Sequence, residues 1–277
     1  MRIRATVAAV SGALALSALA VPAAQAVGDS GTPYTLNASF SNLSIAKSVT
    51  VGTTAKVSVK YTYKLTHGAD VDITAKDFYT DAFLYKGSYS APATELYGDA
   101  DSGTCTATSS TTATCAGSVD IYPADGDLES AWAGSWNVAA EAVAFNGQSL
   151  TNPDLSKVGY KDQSGLTTIL VKRASKLTAN ATPEPVKKGK TITVTGTLTR
   201  ANWDTSKYGG YGSQSVKLQF RKKGSSTYTT LKTIKTSSTG ALKTTTTATS
   251  DGYYRFSFAG TSTTSTVSAT GDYVDVQ

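Results

Sequence analysis

The chain has 277 residues, with 26 Lys or Arg, 20 Asp or Glu, two Cys and a single His. One histidine leaves little scope for general acid–base chemistry near neutral pH. No stretch reaches the roughly 20 apolar residues that a membrane-spanning helix needs.

The first 26 residues read as a secretory signal peptide. Arg2 and Arg4 give a positive start, Val7 to Val21 is a short apolar run, and Ala24-Gln25-Ala26 is a small-x-small cleavage site. No cysteine follows the cut, so lipid anchoring is not expected, and the C-terminal end carries no apolar segment or cell-wall sorting signal. The expected location is secreted, extracellular or cell-wall associated.

Residues 27–172 are expected to form an acidic β-sandwich. They hold 9 Lys against 15 Asp or Glu, a net −6. In Lys56 to Leu65 the apolar set Val57, Val59, Tyr61, Tyr63 and Leu65 alternates with polar residues. A period of two sends one set to a core and the other to water. Ser44 to Val51 reads as its partner strand, with Gly52-Thr53-Thr54 as the turn. Ala82 to Tyr85 is a shorter strand.

Cys105 and Cys115 bracket a polar stretch suited to a hairpin. In an oxidising compartment they are expected to pair, and closing so short a loop stabilises by roughly 3 kcal/mol on the chain-entropy model. Ser118 to Tyr122 follows as a strand. The pattern breaks from Pro123 to Ala133, where Asp127 to Trp132 suits one helical turn. Trp136 is the expected core anchor of this half, on the face shared with Val138, Ala140, Ala142 and Ala144. Val143 and Phe145 suggest that the opposite face is covered too.

Residues 173–277 carry 15 Lys or Arg against 5 Asp or Glu, a net +10. Ile192 and Val194, then Val216, Leu218 and Phe220, then Tyr254, Phe256 and Phe258 all alternate with polar residues. Short strands of this rhythm, closed by Gly turns, build a two-sheet sandwich. An acidic half followed by a basic half points to two modules with different partners. The expected fold class is therefore all-β, two tandem β-sandwich domains of immunoglobulin-like type after the signal peptide.

Catalytic signatures are missing. His67 sits in a turn and reads as an exposed residue, no Gly-x-Ser-x-Gly elbow is present, and neither a phosphate loop nor His-Glu-x-x-His occurs. The expectation is a protein that is not an enzyme and needs no cofactor, calcium being the one ion to weigh. Asp99, Asp101, Asp125, Asp127 and Glu129 lie in two loops of alternating acids, the pattern that offers calcium several oxygens from one side. Neither loop fits a helix–loop–helix calcium motif, since the twelfth positions are Ser110 and Trp136 rather than Glu.

The basic half offers another partner. Lys187, Lys188 and Lys190 mark one turn, and Arg221, Lys222 and Lys223 another. Such point charges suit polyanions, here an anionic cell-wall polymer or surface glycan. Nucleic acid is not expected, because no groove-reading motif is present. Trp203, Tyr208 and Tyr211, in a Gly-rich loop, are the candidates for stacking on sugar rings.

One resemblance adds to this reading. Pro185-Val186-Lys187-Lys188-Gly189-Lys190, Val194-Thr195-Gly196, Val216 to Arg221, Asp251-Gly252-Tyr253-Tyr254-Arg255 and Ala259-Gly260 occur in a distinctive order. As a set they resemble the immunoglobulin-like module at the ends of many secreted actinobacterial proteins. The N-terminal half is similar to the domain paired with that module in small exported proteins of unknown function, some labelled calcium-binding. The resemblance implies fold and export, and no ligand.

Overall fold

The computed structural model describes residues 31–99 and 102–277. The signal-peptide reading and Asp101 lie outside them. Among the described residues the regular structure is strand and short 3-10 turn, with no α-helix. No helix there is long and apolar enough to cross a membrane.

In chain order the first strands are β1 (Tyr34–Thr35), β2 (Ala38–Ile45), β3 (Ser48–Val51), β4 (Val57–His67), β5 (Phe78–Ser88) and β6 (Ala91–Leu96). They continue as β7 (Thr104–Ser109), β8 (Thr112–Ile121), β9 (Gly134–Ala144) and β10 (Gly159–Arg173). Then come β11 (Ser175–Leu177), β12 (Asn180–Thr182), β13 (Thr191–Asn202), β14 (Lys207–Gly210) and β15 (Ser215–Lys222). The last are β16 (Thr229–Lys235), β17 (Ala241–Thr247), β18 (Gly252–Phe258), β19 (Val267–Ser268) and β20 (Asp272–Val274).

Contacts divide the chain into two compact units. The first takes residues up to Lys47, then Val57–Ile121 and Ser135–Ile169. The second takes Ser48–Lys56, Tyr122–Gly134 and Leu170–Gln277. The fold is two tandem β-sandwiches.

In the first unit, one sheet runs β2-β4-β8-β7 and the other β1-β10-β9-β5-β6. β4 alternates as its sequence demands: Val59, Tyr61, Tyr63 and Leu65 are buried, and Ser58, Lys60, Thr62 and Lys64 are exposed. The Tyr63 hydroxyl lies 2.7 Å from Thr80 Oγ1, tying β4 of one sheet to β5 of the other. Trp136 is fully buried on β9, as its spacing predicts. β9 is buried on both faces. Leu155, Val158 and the half-buried Leu150, from the segment after it, pack with Val143 and Phe145 on the second face. That cover is why Glu141, which alternation aims outward, is 8% exposed and receives the Tyr160 hydroxyl at 3.0 Å.

Cys105 and Cys115 are directly opposite in the β7–β8 ladder and form the disulfide. His67 differs from its expectation. It ends β4 rather than occupying an exposed turn, and it is 8% exposed. Its Nδ1 faces the Gly68 carbonyl at 3.0 Å, and its Nε2 is buried without a partner.

The stretch read as one partner strand from Ser44 to Val51 is in fact two. Ser44 and Ile45 close β2 against β4, while β3 pairs in parallel with Leu170–Arg173 of β10. Val51, fully buried, belongs to the second unit. Ala46 and Lys47, between them, are the only break, and local pattern alone cannot show a change of partner.

The second unit packs a β11-β13-β12 sheet, with β14 and β17 also on β13, over a β16-β15-β18-β19 sheet with β20 on β18. Ile192, Val194, Leu198, Val216, Leu218, Tyr254, Phe256 and Phe258 fill the space between. Apart from Leu198 these belong to the alternating apolar sets read from the sequence, of which Phe220 is only half-buried against the cluster. The expected helical turn near Trp132 is a 3-10 turn, Ser130–Trp132.

Candidate anion-binding site

The two basic turns of the second unit meet. β15 ends at Lys222, opposite Gly252 of β18. The chain then reverses through Lys223 and Gly224, with Ser225 N–H bonded to the Lys222 carbonyl at 3.0 Å. The other turn, Lys187 to Lys190, closes with Lys190 N–H on the Lys187 carbonyl at 3.1 Å. Gly189 there has φ +80°, a left-handed backbone that an L side chain rarely adopts. This turn is anchored from both sides: Lys188 N–H bonds to Gln277 O and Gly189 N–H to Ala248 O, each at 2.8 Å.

Between the turns lies a concavity of about 500 Å³, lined among others by Lys188, Lys222, Lys223, Ser250 and Asp251. Its lining side chains include three lysines and one carboxylate, and Gln277 also lines it, with a main-chain carbonyl that accepts from Lys188 N–H. That carboxylate is already satisfied. Asp251 accepts from Val276 N–H at 2.9 Å, from the Tyr273 hydroxyl at 3.1 Å and from Lys223 Nζ at 3.4 Å. The Val276 amide, helped by Tyr273 and Lys223, holds its carboxyl below the ordinary range, so it stays ionised. The Tyr273 hydroxyl and Asp251 together raise the Lys223 ammonium. With Asp251 engaged, the site presents an excess of positive charge on compact, rotatable donors, which suits phosphate or carboxylate oxygens.

The other candidate residues are dispersed. Lys187 and Lys190 are exposed on the turn beside Lys188. Arg221 is half-buried, its Nη1 donating to Ser225 O at 2.6 Å and its guanidinium 4.1 Å from the Tyr253 ring. Trp203 is 3% exposed, and its indole N–H donates to Gly52 O at 2.9 Å. Tyr208 carries Lys176 over its ring at 3.9 Å. Tyr211 packs edge-on to Phe258 and carries Arg200 at 4.0 Å. No contact joins these three aromatic rings into one stacking surface among those seen in the described residues.

Asp99 is exposed in the first unit, and its N–H donates to Asp120 Oδ2 at 2.9 Å. Asp125 and Glu129 are exposed in the second unit, and Asp127 Oδ2 caps the Tyr122 N–H at 2.7 Å. Among the described residues, no group of three or more His, Cys, Asp or Glu is placed to hold a metal.

Comparison with known proteins adds little. No family model matches the chain, and no curated protein does. Solved structures do match. The Yersinia pseudotuberculosis adhesin InvE is 13% identical, over 89% of this chain and 61% of its own, with a TM-score of 0.26. FdeC, an Escherichia coli adhesin, is 13% identical over 89% and 66%, with a TM-score of 0.31. The I67–I69 fragment of titin is 9% identical over 87% and 65%, with a TM-score of 0.32. The chain thus spans about three fifths of the length of InvE. At these scores the likenesses carry no argument about ligands.

Proposed function

We propose that this is an exported, non-catalytic binding protein whose basic second module holds it to anionic envelope polymers. The observation that carries the reading is the gathering of Lys188, Lys222 and Lys223, from turns far apart in sequence, around one concavity whose one side-chain carboxylate is already bonded. Three ammonium groups on one rim raise the local concentration of a polyanion and fix its phosphates or carboxylates by charge-assisted hydrogen bonds. The disulfide supports an oxidising, extracytoplasmic location.

The test is charge reversal in the full chain. Lys188→Glu, Lys222→Glu and Lys223→Glu together change the rim by six units of charge. The triple variant should elute from a polyphosphate column at markedly lower salt than the parent; its melting should fall only slightly, since all three lysines are exposed and only Lys223 loses an ion pair, with Asp251. Equal elution of the two proteins would sink the assignment.

A further inference from the structure

The sheet β16-β15-β18-β20 has a second face, turned away from the core. Its occupants follow from register. Arg221 lies opposite Tyr253, and Tyr253 opposite Tyr273; Arg255 lies opposite Gln219, and Gln219 opposite Thr230; Lys217 lies opposite Ser257 and Thr233. Ser215 faces Lys235 at the far end. These positions alternate with the buried Val216, Leu218, Tyr254 and Phe256. The face therefore presents Lys217, Arg221, Lys235 and Arg255, and no acid at any of the outward positions named.

Its arginines sit over tyrosine rings. The Arg255 guanidinium sits 3.7 Å from the Tyr228 ring centroid, and that of Arg221 sits 4.1 Å from Tyr253 and 5.3 Å from Tyr228. Gln219 Oε1 accepts from Arg255 Nε at 2.9 Å, which fixes the plane of the group. One N–H of the five is thereby used, leaving the four on the terminal nitrogens for a ligand. Held in this way, the side chains have already lost rotamer freedom, so less entropy is lost when an anion binds.

We infer that this outward face is a docking platform for an anionic polysaccharide, with Arg221 and Arg255 gripping its carboxylates and the neighbouring Thr and Ser hydroxyls meeting its hydroxyls. The inference rests on the reading of the second unit as a polyanion binder, but on different residues. Three features select the occupant. The face is an open sheet surface, so a small ligand would make few contacts, whereas a polymer sums many weak ones. Four basic residues and no acid among the outward positions, with Asp251 only at the edge on the Tyr273 hydroxyl, call for an anion. A cation already covers one side of Tyr228 and of Tyr253, which suits carboxylates better than stacked bases, and the disulfide argues for a compartment outside the cytoplasm. Diagonal neighbours such as Arg221 and Arg255 lie about 7–8 Å apart along the sheet, a spacing at which one chain can engage both.

The experiment measures binding of the full chain to immobilised polygalacturonate at low salt, with uncharged dextran and a thymidine oligonucleotide as controls. Arg221→Gln with Arg255→Gln should weaken polygalacturonate binding by about tenfold or more. The Lys pair, Arg221→Lys with Arg255→Lys, keeps the charge but loses the planar fork, and should weaken it by a few fold. Melting curves check that each variant folds, and the Lys pair decides the matter if the Gln pair does not. Unchanged affinity in the folded variants overturns the platform. If only the Lys188, Lys222 and Lys223 reversal weakens binding, the platform falls and the concavity stands. If only the arginine variants do, the platform stands and the concavity falls. No binding to polygalacturonate by the parent, or tighter binding to the oligonucleotide through the same arginines, overturns the polysaccharide assignment.

Discussion

Trp203→Ala is expected to lower the stability of the second unit by about 3–5 kcal/mol, the range for emptying a buried large aromatic site. The ring is 3% exposed, and its N–H donates to the Gly52 carbonyl, 151 residues away in sequence. The Trp203 backbone N–H donates to Ser130 Oγ at 3.0 Å, and Ser130 N–H donates to Asp204 at 2.9 Å. One residue thus ties the Ser48–Lys56 and Tyr122–Gly134 stretches to the body of the second unit. Removing it leaves a cavity and takes the indole donor from the half-buried Gly52 carbonyl. Trp203→Phe keeps most of the volume and loses only the donor, so it should cost about 1–3 kcal/mol. Urea unfolding followed by circular dichroism separates the two variants. The unfolding step assigned to the first unit should not move. If Trp203→Ala unfolds at the parent's urea midpoint but loses glycan binding, the ring is a stacking surface and the packing account is wrong.

The second large effect is on the first unit. Replacing both Cys105 and Cys115 by serine should cost roughly 3 kcal/mol on the chain-entropy model, because the unfolded chain regains the freedom that the cross-link removes. Cys105 and Cys115 are paired partners in the β7–β8 ladder, and β7 lies at the end of its sheet, with β8 as its one strand neighbour among the described residues. With one strand neighbour and exposed or half-buried side chains, β7 has little else to hold it. The double variant should therefore show early amide exchange across Thr104–Ser109 as well as a lower melting temperature. Treating the parent with a reductant should reproduce both changes. A parent whose melting is indifferent to reductant would show that the hairpin holds without its covalent tie.

The sandwich itself was legible because alternation is a local signal. Val57 to Leu65, Val216 to Phe220 and Tyr254 to Phe258 each declare which side is oily, and the buried positions follow them. What lay beyond reach was pairing. The outward set Lys217, Gln219, Arg221 and the outward set Tyr253, Arg255 can each be read from one strand, yet only register brings Arg255 against Gln219 and Tyr228. The two basic turns were visible as lysine clusters, but not their meeting around Asp251. Trp203 misled for a related reason. In a loop rich in Gly and Tyr it suggests an exposed ring, and nothing nearby in sequence reveals that Gly52 supplies its acceptor. Buried acids failed differently: Glu141 obeys the outward rhythm of β9, but a later segment covers that face.

The discontinuous make-up of the second unit sets an order on biogenesis. Every residue assigned to the first unit has been synthesised by Ile169, so that unit can close while the rest is still emerging. The second cannot. Val51 and Gly52 are made early and must wait, first for Leu170–Arg173 to pair with β3 and then for Trp203 to reach Gly52. A chain interrupted before that point leaves those early segments without a seat, which makes them the natural handle for a holding chaperone or a quality-control protease.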